Sequence, residues 1–241
     1  MNEPGRIKLL VVDDSRIVRH VITDAVAAAG DIRVVGHASN GEQGLRMVAE
    51  LDPDVITLDL EMPKMSGFTF LRLLLARRFK PVIVLSSHDD KDSVFKALDL
   101  GAFDFIPKPT DPLLTPDLFR EELIDKVRLT RQVAKPPQRS IFPPAPKTQA
   151  PSSVPPKFVV AIASSTGGPA ALLHIMSRIP PGFPGSVVIA QHMAPGFTRT
   201  FAERLDRVSA LNVQEAADGD MLFAGSALIC PGGSCMSLRQ V

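Results

Sequence analysis

Neither tryptophan nor tyrosine occurs in this 241-residue chain, and cysteine occurs only at Cys230 and Cys235. A surface that stacks on nucleic-acid bases needs aromatic platforms, and this chain supplies few. Two cysteines are too few for a disulfide framework, and no further ligands cluster near them to complete a zinc site; they read as reduced thiols. An excess of charge of one sign is lacking too. Lysine and arginine number 27 against 26 acidic residues, which leaves no electrostatic footprint for nucleic acid or an anionic membrane. No apolar run approaches the roughly 18 residues of a membrane span, and the opening Met1-Asn-Glu-Pro-Gly-Arg6 lacks the apolar centre of a secretion signal. These absences predict a cytoplasmic protein with no nucleic-acid partner and no membrane insertion. What remains is ordinary, 45% hydrophobic and 22% charged, enough for packed cores, and the length suits one or two domains.

From Ile7 to about Arg131, apolar β-type runs alternate with helical patterns. Strands are expected over 7–12, 32–38, 54–58, 82–85 and 103–106. Helices are expected over 16–29, 41–51, 67–78, 90–100 and 116–131, the last with Leu118, Leu123, Val127 and Leu129 as its apolar residues. Alternation at this spacing predicts an α/β fold with a doubly wound parallel sheet. Ligands of such sheets sit beyond the carboxyl ends of the strands. The residues there are Asp13-Asp14-Ser15, Asp59 followed by Leu60-Glu61, Ser86-Ser87, and Lys108 between Pro107 and Pro109. Three carboxylates on one rim repel one another unless a cation lies between them, and hard oxygen ligands suit Mg²⁺. A lysine and a hydroxyl beside them make a site for phosphoryl transfer. Read singly, Asp13-Asp14 could merely cap the next helix, and Lys108 could be a solvated charge; the four strand ends in order carry the reading.

These residues resemble a response-regulator receiver domain, flavodoxin-like in fold. The resemblance implies that Asp59 accepts the phosphoryl group. It implies that Asp13, Asp14, Asp59 and the main-chain carbonyl of Glu61 hold Mg²⁺, and that Ser86 and Lys108 contact the phosphoryl group. Phe105 takes the position of the family's switch aromatic, and the Lys108–Pro109 bond is expected to be cis. His88 reads as an exposed rim residue. The receiver is assigned residues 1–132.

Eight prolines fall between Pro136 and Pro156, with Ser, Thr, Gln and Lys among them. Residues 133–156 therefore read as a semi-extended linker, and 157–241 as a second, partial α/β parallel-sheet domain. Its expected strands are 158–162, taken as buried, 186–190, 212–216 and 226–229. Its expected helices are 169–178 and 198–207. The first strand runs into Ala161-Ile-Ala-Ser-Ser-Thr-Gly-Gly-Pro169, a tight strand-to-helix turn. Unpaired N–H groups and the positive helix end at such a turn can stabilise an oxyanion. The next strand ends in Gln191-His192-Met193, and an imidazole there could activate a serine hydroxyl. A phosphate cradle is the other reading of the turn, but it lacks the P-loop lysine and a spaced GxGxxG. His20, His37 and His174 read as structural or solvated.

Ala163-Ser-Ser-Thr-Gly-Gly-Pro169, Gln191-His-Met-Ala-Pro-Gly-Phe-Thr-Arg199 and Phe201-Ala-Glu-Arg-Leu205 are similar to the chemotaxis protein-glutamate methylesterase (CheB) family. The order of receiver, Pro-rich linker and this domain is that family's own. The resemblance implies a serine hydrolase with Ser165 as nucleophile, not Ser164, and His192 as base. Helix-start amides at Gly167 and Gly168 are the oxyanion-hole candidates. The implied third member of the triad, an aspartate, would lie further along; Asp218 and Asp220 do not match it, and no position up to Val241 does. The implied activity is hydrolysis of glutamyl methyl esters, and deamidation of glutamines, on methyl-accepting chemotaxis receptors. It would be controlled by a chemotaxis histidine kinase through Asp59 and need no cofactor at the esterase site. The competing expectation is a catalytically inert second domain, with the receiver acting alone as a phospho-accepting module.

Overall fold

The computed structural model describes residues 5–77, 80–87, 90–109, 117–132 and 153–239. The chain divides into two compact units, Met1–Arg139 and Ser140–Val241. Most of the proline-rich stretch, and His88, lie outside the described residues.

The first unit alternates strands and helices: β1 (Ile7–Val12), α1 (Arg16–Ala27), β2 (Ile32–Ala38), α2 (Gly41–Leu51), β3 (Val55–Asp59), α3 (Gly67–Arg77), β4 (Val82–Ser86), α4 (Lys91–Leu100), β5 (Asp104–Pro107) and α5 (Asp117–Leu129). The strands form one parallel sheet in the order β2-β1-β3-β4-β5. Side chains alternate across each strand. Ile7, Leu9 and Val11 therefore join Val18, Ile22, Leu123 and Val127 of α1 and α5 in one core, while Leu10 and Val12 face the opposite side, where Leu10 approaches α2 and Val12 lies by Phe70 of α3. Burial on both faces explains why β1, β3 and β4 read as continuous apolar runs.

The helices start where side chains satisfy their first N–H groups. Ser15 accepts from Val18, Asn40 from Gln43 and Asp90 from Ser93. Gln43 in turn accepts from the N–H of Ser39, the residue before the cap, at 2.8 Å, which braces the chain entering α2. Helix α5 departs from expectation in one respect: Leu118 is 78% exposed, and Phe119 takes its place in the core. Lys126 is buried in that helix because Asp104, Glu122 and the Phe105 carbonyl surround its ammonium.

Gly67 positions α3 against the end of β3. A Cβ there would lie 2.1 Å from the Asp59 carbonyl oxygen and 2.7 Å from Leu60 Cα. Gly67→Ala should therefore displace the end of β3 that carries Asp59 and destabilise the first unit by about 1–3 kcal/mol. Thermal unfolding followed by circular dichroism checks this, and an unchanged midpoint would count against the close approach.

The second unit holds β6 (Val159–Ser164), α6 (Gly168–Met176), β7 (Ser186–Gln191), α7 (Phe197–Val208), β8 (Asn212–Glu215) and β9 (Ser226–Ile229). Its sheet is parallel in the order β6-β7-β9-β8. The expectation that β6 is buried is not met. Val159 and Val160 are 42% and 38% exposed, because β6 stands at the sheet edge and pairs, among the described residues, only with β7. Central β7 is buried along nearly its whole length. Among the described residues no helix is long and apolar enough to cross a membrane.

Candidate functional site

The carboxyl ends of β1, β3 and β5 bring Asp13, Asp14, Asp59 and Lys108 together as the strand order requires. Asp13 and Asp59 are buried and Asp14 is exposed. The Lys108 ammonium lies 3.0 Å from Asp13 Oδ2 and 2.9 Å from Asp59 Oδ2. Burial alone would lower the Lys108 pKa, but the charges of Asp13 and Asp59 outweigh it and hold the ammonium above its ordinary value. Burial raises the Asp13 carboxyl; Lys108 pulls it down, and the neighbouring Asp59 pushes it further up.

One oxygen from each of Asp13, Asp14 and Asp59 lies within 4.8 Å of the others. Three carboxylates against one ammonium leave an all-oxygen, electronegative cluster. Its composition and excess charge fit a small divalent cation such as Mg²⁺. The Glu61 N–H donates to Asp59 Oδ1 at 3.4 Å, so the backbone after β3 already folds back toward the carboxylate. Asp13 also accepts from the Ser15 N–H at 2.9 Å, while the cap of α1 is Ser15 itself.

Ser86 is buried at the end of β4, and its carbonyl accepts from the Lys108 N–H at 2.8 Å. Adjacent Ser87 is exposed. Phe105 is buried, and its carbonyl accepts from the Lys126 ammonium at 2.5 Å. No cis peptide bond occurs among the described residues. The Lys108–Pro109 bond is therefore trans, the isomer that X–Pro bonds favour by about 0.5–1 kcal/mol without tertiary help, and Lys108 reaches both carboxylates from it. His20 pairs with Asp24, and His37 Nε2 lies 2.9 Å from the Thr23 hydroxyl. Neither joins this site.

In the second unit, β6 and β7 are neighbours, and Ser164 is paired in register with Gln191. This brings the residues just beyond the two strand ends together. Ser165 Oγ lies 3.5 Å from Nδ1 of His192, long for a hydrogen bond, as catalytic pairs often are without substrate. Nδ1 is the nitrogen facing the hydroxyl, so the ring must carry its proton on Nε2 to accept there. Among the described residues nothing is hydrogen-bonded to Nε2. Ser164 points elsewhere, and its hydroxyl donates to Gln191 Oε1 at 2.7 Å.

The oxyanion-hole candidates divide. The Gly168 N–H is spent on the Ser165 carbonyl at 2.8 Å. It closes the turn and is withdrawn as a donor, a correction to the expectation from the helix start. Gly167, at φ +73°, supplies the left-handed residue that starts α6. Among the described residues the N–H groups of Ser165 and Thr166 have no acceptor. The donor best placed by chain geometry is Thr166, the residue after the serine, as in a nucleophile elbow.

Two supporting groups were not legible beforehand. Gln191, 6% exposed, donates from Nε2 to the carbonyls of both Ser165 and His192 at 2.9 Å. Thr198, fully buried, donates to Glu215 and accepts from the Gly232 N–H at 3.0 Å. It thereby ties the start of α7 to the loop after β9.

The response regulator receiver domain family matches residues 9–115, and the CheB methylesterase family matches residues 160–241. Protein-glutamate methylesterase/protein-glutamine glutaminase 1 of Myxococcus xanthus is 46% identical over 241 residues, covering 100% of this chain and 69% of that protein. Protein-glutamate methylesterase/protein-glutamine glutaminase 3 of Geobacter sulfurreducens is 42% identical over 262 residues, covering 98% and 70%. Among solved structures, the response regulator domain of Thermotoga maritima CheB is similar to the first unit at 38% identity. Its TM-score is 0.51, and the match covers 54% of this chain and 99% of that one.

Proposed function

The chain belongs to the protein-glutamate methylesterase/protein-glutamine glutaminase family, and on that premise we propose that its second unit hydrolyses glutamyl methyl esters and deamidates glutamines on methyl-accepting chemotaxis receptors, under control of phosphorylation of the first. The observation that carries the hydrolase reading is the approach of Ser165 Oγ to His192 Nδ1, 3.5 Å apart at the shared rim of β6 and β7.

Ser165 Oγ attacks the ester carbonyl carbon as its proton passes to Nδ1 of His192. The carbonyl oxygen becomes an oxyanion facing the Thr166 N–H, a donor that needs no reorganisation because none of the described residues accepts from it. The bond to the methoxy group breaks, and methanol leaves with the proton from the imidazolium. Water then attacks the acyl-serine, His192 takes its proton, and Ser165 regains a proton as the glutamate carboxylate is released. For a glutamine side chain the same sequence releases ammonia.

In the first unit, Asp59 forms a P–O bond as the P–N bond of a histidine kinase's phosphohistidine breaks. Lys108, already held by both carboxylates, shifts its charge to the arriving phosphoryl group, and Ser86 contacts the same group. Asp13, Asp14, Asp59 and the Glu61 carbonyl would hold Mg²⁺, which when bound neutralises charge on the phosphoryl oxygens. Residues 1–132, 133–156 and 157–241 then serve as switch, tether and hydrolase. Such a hydrolase acts in the cytoplasm, on the inner portions of receptors.

The test is methanol release from methyl-labelled receptor by this chain, with and without a small phosphodonor and Mg²⁺. Release that rises with the phosphodonor supports the reading, and no release above buffer defeats it. Chelating divalent cations should abolish phosphoryl uptake at Asp59, read by phosphate-affinity electrophoresis. The basal methanol release without phosphodonor should be unchanged, because among the described residues the one cluster of three carboxylates is Asp13, Asp14 and Asp59. A second reading, in which only the receiver works, is favoured by the lack of an acceptor for His192 Nε2 among the described residues. Phosphoryl uptake without any methanol would select it.

A further inference from the structure

Gln191 belongs to no step described above, yet it is the most completely hydrogen-bonded side chain at the Ser165–His192 rim. Its amide is buried at the end of β7. One N–H of Nε2 goes to the carbonyl of Ser165 and the other to the carbonyl of His192, both at 2.9 Å. Its Oε1 accepts from Ser164 Oγ at 2.7 Å. Carbonyl oxygens can only accept, so the amide has one allowed orientation. Turning it over would set Oε1 against two carbonyls and leave the Ser164 hydroxyl facing a donor.

The surroundings are cut to fit this amide. A Cβ on Gly168 would sit 2.0 Å from Oε1 and 2.9 Å from Cδ of Gln191. The absence of a side chain at residue 168 therefore clears the seat of the amide, a use of that glycine independent of any N–H. The same Ser165 carbonyl also accepts from the Gly168 N–H, and the Ser164 carbonyl accepts from the His192 N–H at 2.9 Å. The β6–β7 ladder ends at this point. Beyond it the two reacting residues sit on separate loops, and both are exposed, so packing does not fix their spacing.

We infer that Gln191 is a positioning residue for the hydrolytic pair, an amide cross-link that holds the Ser165 turn and the His192 backbone at a fixed separation, with Ser164 setting its orientation and Gly168 giving it room. The inference rests on the hydrolase reading of Ser165 and His192. It assigns Gln191 no contact with substrate. A misplacement of about 1 Å between nucleophile and base can cost on the order of 100-fold in rate, which is the kind of error the cross-link prevents.

The test uses the whole chain and a fluorophosphonate, which forms a covalent bond with an activated serine, and measures the labelling rate at Ser165 across pH. In the natural sequence the rate should rise from acid toward neutral pH, because only an uncharged imidazole can take the serine proton. Gln191→Met keeps the length and removes all three polar contacts. It should label about 10- to 100-fold more slowly, and its rate should lose that rise with pH. Amide hydrogen exchange in β7 reports that the unit remains folded.

If Gln191→Met unfolds the unit, Ser164→Ala takes its place, expected to slow labelling in the same direction by a smaller factor. Labelling of the folded variant at the natural rate overturns the proposal, and so does a slower rate with an unaltered pH profile, since a merely structural role would scale the rate and leave the profile. No labelling of the natural chain would defeat the serine–histidine reading before Gln191 is touched, and the proposal with it.

Discussion

Asp59→Asn should abolish phosphoryl uptake by the first unit while leaving that unit folded and somewhat more stable. The loss of uptake follows from chemistry, because an amide oxygen does not form the acyl phosphate. The sign of the stability change follows from the cluster. Oxygens of three carboxylates lie within 4.8 Å of one another, and Asp59 is one of the causes raising the Asp13 carboxyl. Removing one negative charge relieves that repulsion and leaves Lys108 paired with Asp13 at 3.0 Å. Without divalent cation, unfolding stability should rise by about 0.5–1 kcal/mol.

Lys108→Met should go the other way, by roughly 1–3 kcal/mol, since it leaves two buried carboxylates without their cation, discounted for the partial exposure of the ammonium. Phosphate-affinity electrophoresis with acetyl phosphate and Mg²⁺ reads the first effect, and denaturant titration reads the others. A phosphorylated Asp59→Asn protein would remove Asp59 from its role. A destabilised one would mean that the Asp59–Lys108 ion pair outweighs the repulsion between the carboxylates.

How much of this was legible in the sequence depended on whether the determining physics is local. The strands of the first unit announce themselves because burial on both faces demands unbroken apolar runs, as in Leu9-Leu-Val-Val12. Asp13, Asp59 and Lys108 were legible because a parallel sheet gathers its strand ends on one edge. Ser165 and His192 were legible for the same reason, one strand apart.

What escaped depended on close approach between segments distant in sequence. An apolar strand reads the same at a sheet's centre or edge, so the exposure of Val159 and Val160 was invisible. The spacing of α5 gave no reason to seat Phe119 where Leu118 was expected, nor to bury Lys126, whose ammonium is satisfied by Asp104 and a carbonyl of another element. Gln191 was passed over because two of its three partners are main-chain oxygens, which carry no residue signature. A polar amide closing an otherwise buried strand was the one available hint. Gly168 was misassigned for a related reason: a helix-start N–H looks free until the turn that consumes it is seen.

Ser165→Ala against Ser164→Ala is the comparison that separates the two hydroxyls. In well-oriented triads the serine and histidine together supply on the order of 10⁶ in turnover, and loss of the group that orients the imidazole removes about 10⁴ of it. Ser165→Ala should therefore cut methanol release at least about 100-fold, to the level left by the Thr166 N–H and binding alone.

Ser164→Ala should cost only about tenfold, because it removes the donor that orients the Gln191 amide and leaves the attacking oxygen in place. Both variants are assayed for methanol from methyl-labelled receptor, alongside hydrolysis of a simple aryl ester, in the presence of phosphodonor and Mg²⁺. Equal losses would mean that the nucleophile is not distinguished from its neighbour, and the reverse order would transfer the nucleophile to Ser164. That outcome would also break the Gln191 contact at 2.7 Å, because a hydroxyl donating to the amide cannot at the same time give its proton to His192.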